Sequence, residues 1–214
     1  MMTDMNMNEF LNVLSSKEPV PGGGGACGYV AAVGMSLGNM VLALTTGKKK
    51  YAEYQDEIEK LIVRANDLTK ELAECMDKDA KAFKPLSEAY GLPKDTDEQL
   101  KHREEVMERA LIAASEAPLS MMEVIVEAIG LIDRISVIGS RLAISDAGVG
   151  VQMCKAALNG ASLNVYINTK LMKDTDVADD MNTRADELII RGNQMADEVY
   201  DLSLIHISEP TRLA

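Results

Sequence analysis

Residues 19–47 contain no charged side chain, although 26% of the residues in this 214-residue chain are charged. A segment of this kind needs an apolar environment, which is either the core of a helical protein or a lipid bilayer. It opens with Pro21 and the glycines Gly22, Gly23 and Gly24, and consecutive glycines permit close approaches that a side chain would prevent. A helix is predicted over 26–46, so the free N–H groups at its start can bind an anionic or carbonyl oxygen.

Residues 26–46 are long enough to cross a bilayer, so a membrane span is one interpretation. Small and polar residues interrupt the segment: Gly28, Gly34, Ser36, Gly38 and Asn39. Small residues three and four positions apart let helix backbones approach closely, in soluble bundles as in membranes. We favour a buried helix of a soluble bundle and expect no membrane association.

The composition narrows the class of protein. A net charge of -12 argues against a nucleic-acid partner, which requires a basic surface. Cys27, Cys75 and Cys154 are far apart and form no CxxC or Cys/His cluster, which indicates reduced thiols in a cytoplasmic protein and no structural zinc. The first ten residues lack the basic-then-apolar order of a signal peptide.

Apolar residues recur at helical spacing along almost the whole chain, and no strand alternation or repeat is found. Helices are predicted over 4–14, 26–46, 52–90, 97–131, 145–172 and 177–202. Pro85 is expected to kink or end the third helix and Pro118 to bend the fourth. The fold class is therefore all-α, a multi-helical up-and-down bundle with a single domain over 1–202.

The segment 203–214 abandons the acidic helical pattern and resembles translated sequencing-adapter sequence. We interpret it as a non-native or disordered tail and exclude it from functional reasoning.

Asp79 is the strongest candidate for chemistry. It lies seven residues after Leu72 and three after Met76, so helical geometry places it on the apolar stripe of the third helix. A carboxylate among apolar side chains is paired, hydrogen-bonded or raised in pKa, and a raised pKa suits a general acid or base. The alternative is a structural Asp at the solvent end of the stripe or paired with a Lys.

Asn164 and Asn168 lie one turn apart on an apolar helix. Two such amides need partners, which are either the donor and acceptor edges of a heterocyclic ligand or groups of a neighbouring helix. Asp146 follows Ser145 at a predicted helix start, where ordinary N-capping is the favoured explanation.

Lys48, Lys49 and Lys50 form a basic cluster in an acidic chain. They can attract a polyanionic tail of a substrate, although a solvated turn is the alternative. Arg103 is a weaker candidate from pattern alone. No metal-ligand cluster is apparent, so no metal is predicted.

Several short motifs follow one another in a characteristic order: Pro21-Gly22-Gly23-Gly24, Gly47-Lys48-Lys49, the acidic segment 77–83, Leu92-Pro93-Lys94, Arg103, Pro118-Leu119, Ser145-Asp146 and the segment 163–168. Together they resemble the cyclodeaminase/cyclohydrolase family, which acts on one-carbon folates. The resemblance covers nearly the whole chain. Gly25 stands where the family usually has Ser, and Pro85 enters a helix normally free of Pro.

The resemblance implies an intertwined helical homodimer that binds a folate in a cleft lined by the glycine turn, the Asp79 helix and the asparagine helix. Asp79 would shuttle protons, and the substrate would contact Pro21, Gly22, Gly23, Gly24, Arg103, Asp146, Asn164 and Asn168. Lys48 and Lys49 would meet the carboxylates of a polyglutamylated substrate. No metal or organic cofactor is implied.

Two reactions fit this resemblance: hydrolysis of methenyltetrahydrofolate and cyclising deamination of formiminotetrahydrofolate. The chain carries no formiminotransferase domain, which favours the cyclohydrolase. A non-catalytic folate-binding or scaffold protein of the same fold is the alternative from another class.

Overall fold

The computed structural model describes residues 1–208, which form six α-helices with short connections. The helices are α1 (Met7–Leu14), α2 (Gly22–Thr45), α3 (Gln55–Tyr90), α4 (Asp97–Ile138), α5 (Ile144–Thr169) and α6 (Thr175–Ser208). Three 3-10 turns lie at Met2–Asp4, Lys49–Tyr54 and Arg141–Ala143. No strand occurs within residues 1–208, so the all-α prediction is confirmed.

Helices α2 to α6 run up and down, because short connections force consecutive helices to be antiparallel neighbours. Helix α2 packs mainly against α3 and α5, and α4 contacts α2, α3, α5 and α6. The middle of α4 forms the core, with several large side chains fully buried: Leu119, Met121, Met122, Ile125 and Ile129. The up-and-down bundle therefore agrees with the predicted architecture.

Helix α2 lies unusually close to α5, because both helices carry glycine at the crossing. A Cβ atom added to Gly34 would lie 2.6 Å from the carbonyl oxygen of Gly150, so the two backbones are in contact. Within residues 1–208, α2 alone is long and apolar enough to cross a membrane, and half of its most apolar window is buried inside the protein.

The glycine turn is part of α2, which is a correction to the predicted helix start at residue 26. Helix α2 begins at Gly22, and the N–H of Gly25 donates to the carbonyl of Pro21 at 2.9 Å. Gly22 has a φ of 54°, a left-handed conformation that favours glycine. Sequence propensity alone missed this start because glycine is a poor helix former.

Neither interior proline ends its helix. Helix α3 continues past Pro85 to Tyr90, and α4 continues past Pro118 to Ile138, seven residues beyond the predicted end. Pro118 lacks an N–H, so the carbonyl of Ala114 has no helical donor. The Nδ2 group of Asn168 on α5 donates to this carbonyl at 3.0 Å and satisfies it.

Two further boundaries differ from the sequence prediction. Helix α5 begins at Ile144 without a side-chain cap, so Ser145 and Asp146 lie in its first turn and do not cap it. Helix α6 extends to Ser208, and the buried hydroxyl of Ser203 donates to the carbonyl of Val199. Residues 209–214 lie outside the described residues, and the non-native origin of 203–214 stays a prediction.

Candidate functional site

The carboxylate of Asp79 lies against the first turn of α2. A Cβ atom added to Gly24 would overlap with both carboxylate oxygens of Asp79, so only glycine allows this approach. Asp79 is half-buried on α3, as its position on the apolar stripe predicted. The close packing of a carboxyl group on a glycine backbone is the central feature of this end of the bundle, which we call the Asp79 end.

Burial raises the pKa of Asp79 from 3.8 to about 6. Within residues 1–208, no hydrogen bond to this carboxylate is found. Burial therefore destabilises its charged form, and no donor offsets this loss of solvation. A carboxyl group with a pKa near 6 exchanges a proton readily close to neutral pH, which suits a general acid and base. The sequence-based alternative of a Lys-paired Asp is wrong.

The start of α2 has unsatisfied donors. No side chain caps this helix, and within the described part of the chain the N–H groups of Gly22, Gly23 and Gly24 have no acceptor. The first N–H groups of a helix carry partial positive charge and point outward from its end. A carbonyl or anionic oxygen of a ligand can therefore bind here, directly beside the Asp79 carboxyl group.

Asn164 faces the same turn. Its Oδ1 atom lies 3.5 Å from the Cβ position of Gly23, and its Nδ2 group donates to the carbonyl of Gly160 at 3.2 Å. The structure therefore brings Pro21, the glycines and Asn164 together with Asp79, as the family resemblance implied. An amide oxygen in this position can accept from an amino or ring N–H group of a heterocycle.

Asn168 has a packing role. Its Nδ2 group is used by the bond to α4 described above, so the inter-helix interpretation is confirmed for this residue. A contribution of Asn168 to ligand binding stays a prediction.

Cys27 belongs to the Asp79 end, although the sequence did not single it out as a site residue. A Cβ atom added to Gly160 would lie 2.8 Å from the Sγ atom of Cys27. Burial, and secondarily the charge of Asp79, raise the pKa of this thiol to about 11. Cys27 therefore stays protonated at neutral pH. The available signal was its spacing, since it follows Gly23 by four residues on one helix face.

Arg103 lies in the second turn of α4 and is half-buried. Its Nε atom is buried and has no hydrogen-bond partner within residues 1–208. Helices α3 and α4 are antiparallel and joined by a short connection, so the start of α4 lies at the Asp79 end. Arg103 is thus on the predicted side of the bundle.

Lys48, Lys49 and Asp146 lie at the opposite end of the bundle. Gly24 and Thr45 are separated by 21 residues of continuous helix, or about 30 Å. Asp146 precedes Asn164 by 18 residues along α5, or about 27 Å. The predicted site residues therefore fall into two groups, and a single chain does not bring them together. We call the second group, Lys48–Lys50 with Asp146, the lysine end.

Comparison with known proteins connects this geometry to a family. The sequence model of the family described as Formiminotransferase-cyclodeaminase matches residues 6–187. The chain is 36% identical over 192 residues to the methenyltetrahydrofolate cyclohydrolase of Methylorubrum extorquens. This alignment covers 90% of the present chain and 92% of that relative.

More distant relatives are longer. The formimidoyltransferase-cyclodeaminases of Mus musculus and Dictyostelium discoideum are 28% identical over 173 and 201 residues. These alignments cover 81% and 94% of this chain but only 32% and 36% of the relatives, so the chain spans about a third of their length.

A solved structure shares the fold. The crystal structure of formiminotetrahydrofolate cyclodeaminase from Thermotoga maritima superposes with a TM-score of 0.86, covering 97% of this chain and 100% of that chain. The identity is 22%, so this likeness shows the fold alone.

Proposed function

The chain belongs to the formiminotransferase-cyclodeaminase family, and on this premise we propose that it is an enzyme of one-carbon folate chemistry. Its first candidate activity is hydrolysis of 5,10-methenyltetrahydrofolate to 10-formyltetrahydrofolate. The observation that carries the proposal is the half-buried carboxyl group of Asp79, with a pKa of about 6, packed on the uncapped start of α2.

In the proposed reaction, water attacks the cationic methenyl carbon, and the Asp79 carboxylate accepts a proton from this water. The adduct then collapses: the carbonyl forms, the bond from this carbon to N5 breaks, and Asp79 returns its proton to N5. The remaining hydroxyl proton leaves to solvent, so one proton is released for each turnover. Acid–base help of this kind typically contributes about 10²–10⁴-fold to the rate.

The remaining groups of the Asp79 end would orient the pterin. The N–H groups of Gly22–Gly24 donate to its carbonyl oxygen, and the Oδ1 atom of Asn164 accepts from its amino edge. The negative charge of ionised Asp79 favours the cationic substrate over the neutral product. Arg103 supplies a cation for a carboxylate or carbonyl of the substrate.

A cyclodeaminase is the second candidate activity. There N10 of 5-formiminotetrahydrofolate attacks the carbon of the protonated formimino group (–CH=NH₂⁺), and Asp79 transfers the proton from N10 to the nitrogen of that group. The bond from the carbon to this nitrogen then breaks, so ammonia leaves and the methenyl cation forms. The same groups serve both reactions. The cyclohydrolase takes precedence because the relative with that name is 36% identical to this chain, whereas the formimidoyltransferase-cyclodeaminase of Mus musculus is 28% identical.

A side-by-side assay tests both activities. The purified protein is given methenyltetrahydrofolate, with loss of the methenyl absorbance as the readout, and formiminotetrahydrofolate, with ammonia release as the readout. We expect turnover of the methenyl substrate, and at least a 100-fold loss in Asp79→Asn. Asp67→Asn, an exposed position on the same helix, is the matched control. Tight folate binding without turnover would instead favour a non-catalytic binding protein.

The proposal includes a setting for the enzyme. We expect a cytoplasmic homodimer that acts on polyglutamylated folate without a metal or prosthetic group. The three free thiols, Cys27, Cys75 and Cys154, support a reducing compartment. Dialysis against a chelator is expected to leave the activity unchanged, and a loss restored by one added metal would contradict the metal-free mechanism.

A further inference from the structure

The N-terminal segment, residues 1–14, packs on the Asp79 end through a small apolar cluster of its own. Phe10 of α1 is buried, and its ring stacks on that of Tyr29 of α2 with 5.1 Å between the centroids. Phe10 shares this cluster with Met2 and with Met76 of α3. The segment therefore lies across the start of α2 and the part of α3 that carries Asp79.

Met2 is the methionine that this segment buries. The first seven residues contain four methionines, and Met2 is 9% exposed, whereas the other three are between 37% and 75% exposed. The Sδ atom of Met2 lies 3.6 Å from the Cβ position of Gly25, and the Cβ atom of Pro21 lies 2.5 Å from the same position. Met2 thus covers the glycine turn at Gly25, one residue beyond the contact between Gly24 and Asp79.

Asp77 fixes the position of Met2. Its Oδ1 atom accepts from the backbone N–H of Met2 at 2.8 Å, and its Oδ2 atom accepts from the hydroxyl of Thr3 at 3.4 Å. Within residues 1–208, Asp77 forms no ion pair, and the adjacent Lys78 pairs with Glu74. Asp77 therefore acts as a hydrogen-bond acceptor and not as the partner of a cation.

Asp77 and Asp79 hold the glycine turn from α3 in two different ways. Two residues along a helix correspond to a rotation of about 200°, so the two carboxyl groups leave α3 on nearly opposite sides. Asp79 contacts the backbone of Gly24 directly, and Asp77 reaches the backbone of Gly25 through Met2. The acidic segment 77–83 of the sequence therefore acts on the turn through both of its aspartates.

The glycine turn needs this support. Glycine is among the least favourable residues in a helix, because it loses more backbone entropy on folding than any other residue. Four glycines in succession open α2, and no side chain caps this end. Without tertiary contacts such a start would fray, and its free N–H groups would no longer converge on one acceptor. The contacts from α3 and Met2 therefore decide how often the turn is helical.

We infer that Asp77 is a positioning residue of the folate site: by holding Met2 against the glycine turn, it keeps the N–H groups of Gly22–Gly24 in the arrangement that binds the substrate. This inference rests on the proposed function and deepens it, because it adds to the site a residue that does not touch the ligand. It also gives the N-terminal segment a part in substrate binding.

The kinetics of Asp77→Ala and Asp77→Asn with methenyltetrahydrofolate test this role. Ala removes the acceptor, so the turn is helical for a smaller fraction of the time, and we expect KM to rise about tenfold. The kcat value, which reports the bound state, should stay within about threefold of wild type. Asn keeps an Oδ1 acceptor for the N–H of Met2 and can donate to the hydroxyl of Thr3, so it should restore KM to within about twofold of wild type.

Two other aspartates of α3 serve as matched comparisons. Asp67→Ala, at an exposed position, should leave both kinetic constants unchanged. Asp79→Asn should lose at least about 100-fold in kcat, because the proton carrier is gone. The same change from Asp to Asn is thus expected to be tolerated at Asp77 and not at Asp79, which separates a positioning residue from a catalytic one.

Met2→Ala tests the link between Asp77 and the turn, and it is a milder change should Asp77→Ala fail to fold. It keeps the backbone N–H but removes the thioether from Gly25, so KM should rise as in Asp77→Ala. The two changes combined should add little to either alone, because both act through one contact. Met7→Ala, an exposed methionine of the same segment, is the control and should leave KM unchanged.

Amide exchange tests the position of the turn without relying on activity. The N–H of Gly25 donates to the carbonyl of Pro21, so its exchange rate reports how often the turn opens. In the protein without folate, we expect exchange about tenfold faster in Asp77→Ala and unchanged in Asp77→Asn. The N–H of Gly139, which donates to the carbonyl of Ile135 at the other end of the bundle, should not change in either variant.

The outcomes separate this inference from the proposed function. In an active wild type, a KM of Asp77→Ala equal to that of wild type would overturn the inference, and so would a KM of Asp77→Asn as high as that of Asp77→Ala. If the wild type turns over neither folate, the proposed function fails and the exchange at Gly25 decides. Faster exchange in Asp77→Ala would then support the hold of Asp77 on the turn, and unchanged exchange would refute it.

Discussion

Replacing Asp79 by Asn is expected to abolish activity and, at neutral pH, to stabilise the protein. Burial raises the pKa of Asp79 to about 6, so the folded state disfavours the ionised carboxylate. Between about pH 4 and pH 6 the folded chain keeps a proton that the unfolded chain releases, and wild-type stability therefore falls as the pH rises through this window. Asn has a similar size, carries no charge and does not titrate.

The magnitude follows from the shift. A displacement from 3.8 to about 6 corresponds to roughly 3 kcal/mol of penalty for the charged form. Asp79 is only half-buried, and solvent screening reduces this to about 1–2 kcal/mol. For a chain of this size the variant should melt about 2–6 °C above wild type at pH 7.5. At pH 4.5 only about a third of the gain remains, because most of the carboxyl groups are then protonated in the folded state.

Thermal unfolding at pH 4.5 and pH 7.5, at one protein concentration and without folate, measures the effect. Asp67→Asn, exposed on the same helix, is the control and should show no such pH-dependent gain. An equal gain in melting temperature at both pH values, or a loss of stability at pH 7.5, would refute the argument that burial destabilises the ionised carboxylate. The methenyl assay on the same samples separates stability from catalysis.

Three further predictions concern the surroundings of the site. Gly24→Ala should lower the free energy of unfolding in urea by about 2–3 kcal/mol, because its methyl group collides with the carboxylate of Asp79. Gly130→Ala has open space around it and should be neutral or stabilise by about 0.5–1 kcal/mol. Equal effects of the two substitutions would contradict the packing argument. Asn168→Ala should lower the free energy of unfolding by about 1–2 kcal/mol, because the carbonyl of Ala114 loses its donor. The loss should be distinctly smaller in a Pro118→Ala background, where the backbone N–H of residue 118 replaces that donor. Additive losses in this double-mutant cycle would exclude the coupling. Folate should protect Cys27 from alkylation at pH 8, as measured by mass spectrometry, and unchanged labelling would place the ligand elsewhere.

The sequence predicted the helices well because their apolar residues repeat with the helical period. It misplaced the start of α2, where the tertiary contact of Gly24 with α3 outweighs the low helix propensity of glycine. It carried α4 through Pro118 but ended the helix at residue 131, seven residues before its end at Ile138. Nothing local to Pro118 shows that Asn168, fifty residues later, donates to the carbonyl that the proline leaves open.

The candidate site was predictable in part. The environment of Asp79 follows from its position on an apolar stripe, but its approach to Gly24 depends on how two helices pack. The separation between Lys48 and Asp79 was available in principle, because the predicted second helix already had the length that places its ends about 30 Å apart. The order of the motifs gave no sign of this separation, because residues that follow one another in a sequence need not lie in the same site.

The uncapped start of α2 has a consequence for the empty enzyme. The first N–H groups of this helix lack acceptors. In the proposed binding mode the ligand would supply the missing cap. Substrate binding would thus cap the helix, because the folate would accept hydrogen bonds from N–H groups that have no acceptor within the chain. Amide exchange at Gly22–Gly24 would then report occupancy directly: fast in the empty enzyme, slow once the pterin carbonyl has closed the helix.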